Sequence, residues 1–261
     1  MSEGEPQIFL VSCVGIPGVG KSTLLDSLSK TGMLQKAFSS NIALVHVQEP
    51  CALWRERGWL AKFYEDPDMN AAGFQFLVFD SHVDALASAI VDAKLQYPKA
   101  ASIIILAERS FYCQRLFWQL QVENGCTTAN SLYNDAYLRL WSKWRQFLPE
   151  PNLILYFYTS HIGETMRRVD ARDRAEEKQQ GGGGGLTLEY QSKLSEKHDV
   201  WYTAPIAHPP GAPSEGIPCM HINMDKPFHK DEAHLVDIAA KIHMQILYQT
   251  MDNLTIKKEN F

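Results

Sequence analysis

Gly15-Ile16-Pro17-Gly18-Val19-Gly20-Lys21-Ser22 decides how the rest of this 261-residue chain is read. The stretch fits the phosphate-binding loop pattern: Gly, four free positions, then Gly-Lys-Ser. Ile8-Phe9-Leu10-Val11-Ser12-Cys13-Val14 ahead of it reads as a buried strand, and Ser22-Thr23-Leu24-Leu25-Asp26-Ser27-Leu28 behind it reads as a helix. Glycine lets the backbone wrap closely round a phosphate, with N–H groups and a helix N-terminus turned toward the negative charge. Gly15, Gly18, Val19, Gly20, Lys21, Ser22 and Thr23 are therefore the expected contacts of a nucleoside triphosphate. Lys21 brings a mobile positive charge, and the Ser22 hydroxyl is suited to Mg²⁺.

Outward from the loop, short apolar runs alternate with helical patterns. Ile42–Val47, Ser102–Leu106, Leu153–Phe157 and Cys219–Ile222 read as further strands. Helical stretches fall at about Asn70–Gln96, Phe111–Glu123, Ser131–Phe147, Ile162–Arg172, Leu188–Tyr202 and Lys230–Thr250. This alternation predicts an α/β fold whose central parallel five-stranded sheet is flanked by helices. With no internal repeat and no evident linker, the expectation is a single domain over 1–261.

Composition narrows the class. The net charge of −5 gives no general attraction to nucleic acid or to acidic membranes. Five scattered cysteines without a close pair argue against a zinc site or a disulfide framework and fit a reducing, cytoplasmic compartment. No apolar run reads as a membrane span, and the short, acidic, polar N-terminus resembles neither a secretory signal nor a transit peptide.

Ligands of an open α/β sheet bind at the carboxyl ends of its strands. Besides the loop, Glu49 ends the second strand and Glu108-Arg109 ends the third. Glu49 is a candidate base for a substrate hydroxyl, Glu108 a candidate Mg²⁺-associated acid, and Arg109 a partner that keeps Glu49 ionised and contacts phosphate. Arg168 and Arg172 lie one helical turn apart, with Arg174 just beyond. Arginines grouped this way can close over a triphosphate as a lid, here about 168–187.

Taken together these residues resemble the deoxyribonucleoside kinase family. The likeness runs from about Ile8 to Tyr248. It rests on the Gly15–Ser22 loop, Glu49-Pro50 with Trp54, Tyr64-Glu65-Asp66-Pro67 followed by Phe74-Gln75, Glu108-Arg109-Ser110, the arginine segment with Glu176-Glu177, and Leu188-Glu189-Tyr190 followed by Lys197-His198. The resemblance implies a P-loop kinase fold with an arginine-rich lid and Mg²⁺ as cofactor. The implied activity is transfer of the ATP γ-phosphoryl to the 5′-hydroxyl of a deoxyribonucleoside in nucleotide salvage. By the same resemblance Glu49 is the base, Arg109 orients it, and Lys21 serves the transferred group. Tyr64 and Glu177 hold the sugar 3′-hydroxyl, Gln75 pairs with the base, and Trp54 with either Phe117 or Trp118 flanks it. A homodimer through the Ser131–Phe147 helix is also implied.

Departures from the family bear on specificity. Members that prefer cytidine carry an Arg and an Asp where this chain has His82 and Gln114, and a small residue where it has Val78. The change leans toward thymidine or a broad pyrimidine range. The loop Asp225-Lys226-Pro227-Phe228 keeps a phenylalanine, Phe228, at the expected donor-base contact. Gly181–Gly185 lengthens the lid and is expected to be flexible. The main alternative is a nucleoside monophosphate kinase of thymidylate kinase type, whose acceptor already bears a phosphate. A GTPase switch is disfavoured because the Asn-Lys-x-Asp guanine-reading motif is absent, and a scaffold without catalysis because Lys21, Ser22, Glu49, Glu108 and Arg109 are all in place.

Overall fold

In the computed structural model, residues 5–172, 186–203, 212–213, 216–228 and 231–259 are described. Five strands, β1 (Gln7–Val14), β2 (Ile42–Val47), β3 (Ser102–Glu108), β4 (Leu153–Tyr158) and β5 (Cys219–Asn223), form one sheet in the order β2-β3-β1-β4-β5. Every pairing is parallel, with Cys13 beside Glu108 and Val11 beside Leu153. The strand runs are apolar because both faces of the sheet are covered; Phe9–Val11, Ile103–Leu106 and Leu153–Phe157 are all buried.

This order puts a switch point beside β1. The chain leaves β1 through α1 (Lys21–Thr31) and α2 (Met33–Ala37) toward β2, on one side. From β3 it leaves through α6 (Phe111–Glu123) and α7 (Leu132–Trp144) toward β4, on the other. Oppositely directed crossovers from adjacent strands open a crevice at their carboxyl ends. The phosphate loop and the Glu108-Arg109 turn face each other there.

A wall over the crevice comes from α3 (Cys51–Glu56), α4 (Trp59–Glu65) and the long α5 (Pro67–Gln96). Asp66 caps α5 by accepting from Met69 N at 3.1 Å, and Pro67 supplies the preset φ of a first helical residue. Trp54, Leu60, Phe63, Phe74 and Val78 pack into an apolar cluster of their own between these helices. By length and apolar composition α5 is long enough to cross a membrane. Here it packs against α4 and α6 and turns buried Gln75, Val78 and Ser81 inward, as a core helix does.

The remaining helices are α8 (Ile162–Ala171), α9 (Leu188–Thr203) and α10 (Glu232–Glu259). The lid expectation extends past α8: Arg174, Glu176, Glu177 and Gly181–Gly185 lie outside the described residues, as does most of the proline-rich stretch after 203.

Candidate active site

The loop after β1 is held by contacts that exclude side chains at two glycines. Gly15 has φ 143°, and a Cβ there would strike the carbonyl oxygen of Phe157 on β4. Gly18 has φ 77°, and its Cβ would lie 2.5 Å from the Thr165 carbonyl oxygen of α8. Arg168 on α8 donates to the Val19 carbonyl at 3.0 Å, and buried Gln191 on α9 donates to that of Pro17 at 2.8 Å. Two helices thus brace the loop from outside. Val19 is buried, Thr23 is exposed on α1, and Phe228 is buried in the core near Gly20.

Lys21 folds back across the loop, donating to the carbonyls of Gly15 (2.9 Å) and Ile16 (3.0 Å). Burial lowers its pKa to about 7; the like charge of Arg109 adds to this, while Glu49 and Glu108 oppose it. Ser22 donates to Glu108 Oε2 at 2.6 Å. His46 on β2 donates from Nε2 to Glu108 Oε1 at 3.2 Å, so both carboxylate oxygens are engaged.

Arg109 is the non-glycine residue with positive φ, 75°, among the described residues. Its backbone N–H stays on β1, donating to the Cys13 carbonyl at 2.8 Å. The left-handed turn sends its side chain back over the crevice. There it donates to Glu49 Oε1 (3.0 Å) and to the Gly15 carbonyl (2.8 Å) and lies 4.7 Å from the Phe117 ring centre. Burial alone would raise the Glu49 pKa, but Arg109, with His82 and Lys21, outweighs it and holds the carboxyl at about 2. Burial likewise works against the charge of Arg109, and Glu49 keeps its pKa above the ordinary value.

A cavity of about 370 Å³ opens between the loop and the helical wall. Gly18, Lys21, Ser22, Glu108 and Arg172 line its loop side, and Glu49 and Arg109 also line it. Trp54, Tyr64, Gln75, Val78, Gln114 and Phe117 line the far side, where Leu186 and Tyr190 also reach it. Gln75 is 3% exposed, and its Oε1 has no partner. A buried amide oxygen left unsatisfied at a cavity wall is what a site for a polar ligand presents.

Two expected contacts need correction. Trp118 does not face this cavity. It is fully buried, stacked on Tyr137 at 4.1 Å, with its indole N–H on Asn134 Oδ1 at 2.8 Å. One residue along a helix turns the side chain by about 100°, so Phe117 takes the cavity and Trp118 the core. His82 is set behind the wall, against Gln114 and Trp54, and does not line this cavity, although its charge bears on Glu49. His46, Gln191 and Tyr190 are site residues for which sequence reasoning gave no role. The visible signals were a histidine inside the apolar run Ile42–Val47 and, for Tyr190, its place in the Leu188-Glu189-Tyr190 motif of the resemblance.

A deoxynucleoside kinase family model matches residues 11–247. That is most of the chain. The protein belongs to the deoxynucleoside kinase family. It is 28% identical to a thymidine kinase of Ictalurid herpesvirus 1 over 75% of each chain. It is 27% identical to a probable deoxycytidine kinase of Fowlpox virus, over 89% of this chain and 86% of that one. In this deoxynucleoside kinase the family's P-loop fold is realised by the all-parallel sheet and the Gly15–Ser22 turn.

Mg²⁺ fits this donor set. Among the described residues no trio of His, Cys, Asp and Glu could cage a metal ion. The hard oxygens of Ser22 and Glu108, already within 2.6 Å of each other, suit a cation that takes its other ligands from phosphate and water.

Proposed function

We propose that this kinase transfers the γ-phosphoryl of ATP to the 5′-hydroxyl of a deoxyribonucleoside, thymidine or pyrimidines broadly, as a step of nucleotide salvage. The observation that carries the reading is the part-buried Glu49–Arg109 pair, which lines the cavity between the phosphate loop and a wall of aromatic rings with the unpartnered Gln75 amide. A carboxylate at that junction suits a neutral hydroxyl, whereas an acceptor phosphate would be repelled by it.

With a pKa near 2, Glu49 is ionised at neutral pH and is a weak base. It orients the hydroxyl and takes the proton as the new P–O bond forms, in keeping with a loose phosphoryl-transfer transition state that needs little prior deprotonation. Arg109 fixes that carboxylate and brings positive charge to the loop side. Lys21, released from the Gly15 and Ile16 carbonyls, would turn to the phosphates and gain a proton there. Arg168 on α8 and Arg172 just past its end would add charge, with Arg174 continuing the lid and Glu177 joining Tyr64 at the sugar. Ser22 and Glu108 would hold Mg²⁺, which when bound neutralises charge on the phosphates. Trp54 and Phe117 flank the base, and Gln75 and Val78 bound its edge. Phe228 would meet the donor base. The reading extends to one kinase domain over the whole chain, to a homodimer through α7, where Leu132 and Tyr133 are exposed, and to a cytoplasmic setting.

The decisive experiment supplies purified protein with Mg²⁺·ATP and the four deoxyribonucleosides, plus thymidine monophosphate as a fifth acceptor. Pyrimidine deoxyribonucleosides should become 5′-monophosphates. Turnover of thymidine monophosphate alone would replace this reading by a monophosphate kinase of thymidylate kinase type.

A further inference from the structure

Inside the phosphate loop, Ile16-Pro17-Gly18-Val19 makes a β-turn closed by the Val19 N–H, which donates to the Ile16 carbonyl at 3.4 Å. Proline cannot take a positive φ, and Gly18 has φ 77°, so the turn is of type II. Types I and II differ by a turn-over of the central peptide, here Pro17–Gly18. A trans peptide points its carbonyl and its N–H in opposite directions, so the turn type decides which of them faces the cavity that Gly18 lines. Glycine accepts either sign of φ, and Pro17-Gly18 by itself permits both types. Gln191 on α9 separates them. Its Nε2 donates to the Pro17 carbonyl at 2.8 Å and stands 3.5 Å from Thr165 Oγ1, whose own proton goes to the Ile162 carbonyl at 2.6 Å. A carbonyl only accepts, so the amide must present nitrogen here; turned over, Oε1 would face the Pro17 oxygen. Gln191 is 0% exposed, and its Oε1 has no partner. As core filler a glutamine is therefore poor, and what it contributes is the bond to Pro17.

We propose that Gln191 is a positioning residue for the triphosphate: it holds the Pro17 carbonyl outward against α9 and so keeps the Gly18 N–H turned to the cavity as a phosphate donor. This deepens the kinase reading and rests on it only for a triphosphate at the loop. Without the Gln191 bond the peptide can turn over and set a carbonyl oxygen toward the phosphates, where attraction by an N–H dipole becomes repulsion. Gln191 itself does not line the cavity, so it acts through the loop and leaves the nucleoside half untouched.

Gln191→Leu removes both the donor and the orphaned oxygen at similar volume, and Gln191→Met does the same with a more adaptable side chain should leucine not pack. Calorimetry with Mg²⁺ and the β,γ-imido analogue of ATP should show binding about ten- to a hundredfold weaker in either variant, the effect of one charge-assisted hydrogen bond. The KM for thymidine should stay within about twofold of native, as expected when only the triphosphate half is disturbed. In native protein carrying ¹⁵N-glycine, the Gly18 amide proton should move downfield when the analogue binds, and the variants should lose this response. Unchanged analogue affinity, an equal loss of thymidine and analogue binding, no Gly18 response in the native protein, or the same response in the variants overturns the inference while leaving the kinase reading intact. The expected loss of analogue binding and of the Gly18 response, in a protein that phosphorylates no nucleoside, upholds the inference and overturns the kinase reading.

Discussion

Replacing Glu49 by Gln keeps the size and hydrogen-bonding reach of the side chain and removes its charge. Two independent readouts follow from that single change. The first is catalytic: without an acceptor for the 5′-hydroxyl proton, turnover should fall by about 10²- to 10⁴-fold, with the nucleoside KM little altered. The second is acid stability. The Glu49 side chain is 19% exposed beside Arg109, and its pKa drops from 4.5 to about 2 on folding. As pH falls, the unfolded chain takes up this proton first. The pair's contribution is therefore fully present above pH 4.5 and is lost as pH falls toward 2. A gap of about 2.5 units corresponds to roughly 3 kcal/mol at neutral pH and leaves about 2 kcal/mol at pH 3.5. Urea unfolding of the native and Glu49→Gln proteins should thus show a difference on the order of 3 kcal/mol at pH 7 that narrows by about 1 kcal/mol at pH 3.5. Parallel stability profiles would refute the electrostatic account of the pair. Unchanged turnover would refute Glu49 as the proton acceptor.

His46→Val should leave Glu108 Oε1 without its donor and raise the half-saturating Mg²⁺ concentration by about tenfold at constant nucleoside KM. Mn²⁺ binding to the protein with ADP, followed by electron paramagnetic resonance, should weaken in step, and His46→Gln should restore part of it. Gly18→Ala forces a Cβ to within 2.5 Å of the Thr165 carbonyl at φ 77°, so the ATP KM should rise at least about tenfold with a loss of at least about 1 kcal/mol in urea unfolding. Phe117→Leu should raise the nucleoside KM in steady-state assays. Trp118→Phe should leave it unchanged yet lower stability by about 1–3 kcal/mol through the lost Asn134 bond.

The sheet was legible because its strands are continuous apolar runs and its loop has fixed spacing; all five strands lie within two residues of where the pattern puts them. Helices α2, α3 and α4, of five to seven residues, were not. They are too short for a 3.6-residue period to declare itself, and their packing comes from tertiary contact. Within the site, sequence gave residue types at strand ends but not the facing of neighbours. Phe117 and Trp118 are equally aromatic, and only the roll of α6 about its axis sorts them. His46 was read as one more strand position because nothing in the sequence says that Glu108 lies 62 residues away and within hydrogen-bond reach. The left-handed backbone of Arg109 was also invisible, since arginine is not a residue from which that conformation is expected.

That backbone turn is where the two halves of the site are joined. An L-residue held in the left-handed region costs about 1–2 kcal/mol, so the surrounding structure must over-determine it. Three contacts do so from three elements: the Cys13 carbonyl of β1 at its N–H, the Gly15 carbonyl of the phosphate loop at its guanidinium, and Glu49 after β2. Were Arg109 in an ordinary extended conformation, the chain would continue the line of β3 and its side chain would not turn back across the crevice. The strain therefore has a structural consequence: one guanidinium touches the phosphate loop and the Glu49 carboxylate together. Removing either partner would leave a buried charge uncompensated, an effect of about 3–5 kcal/mol in buried pairs generally. Lysine cannot stand in, because a single ammonium lacks the planar fork that reaches a carbonyl and a carboxylate in different directions. Position of the phosphate loop and orientation of Glu49 are thus set by the same residue, and a displacement of one is felt by the other.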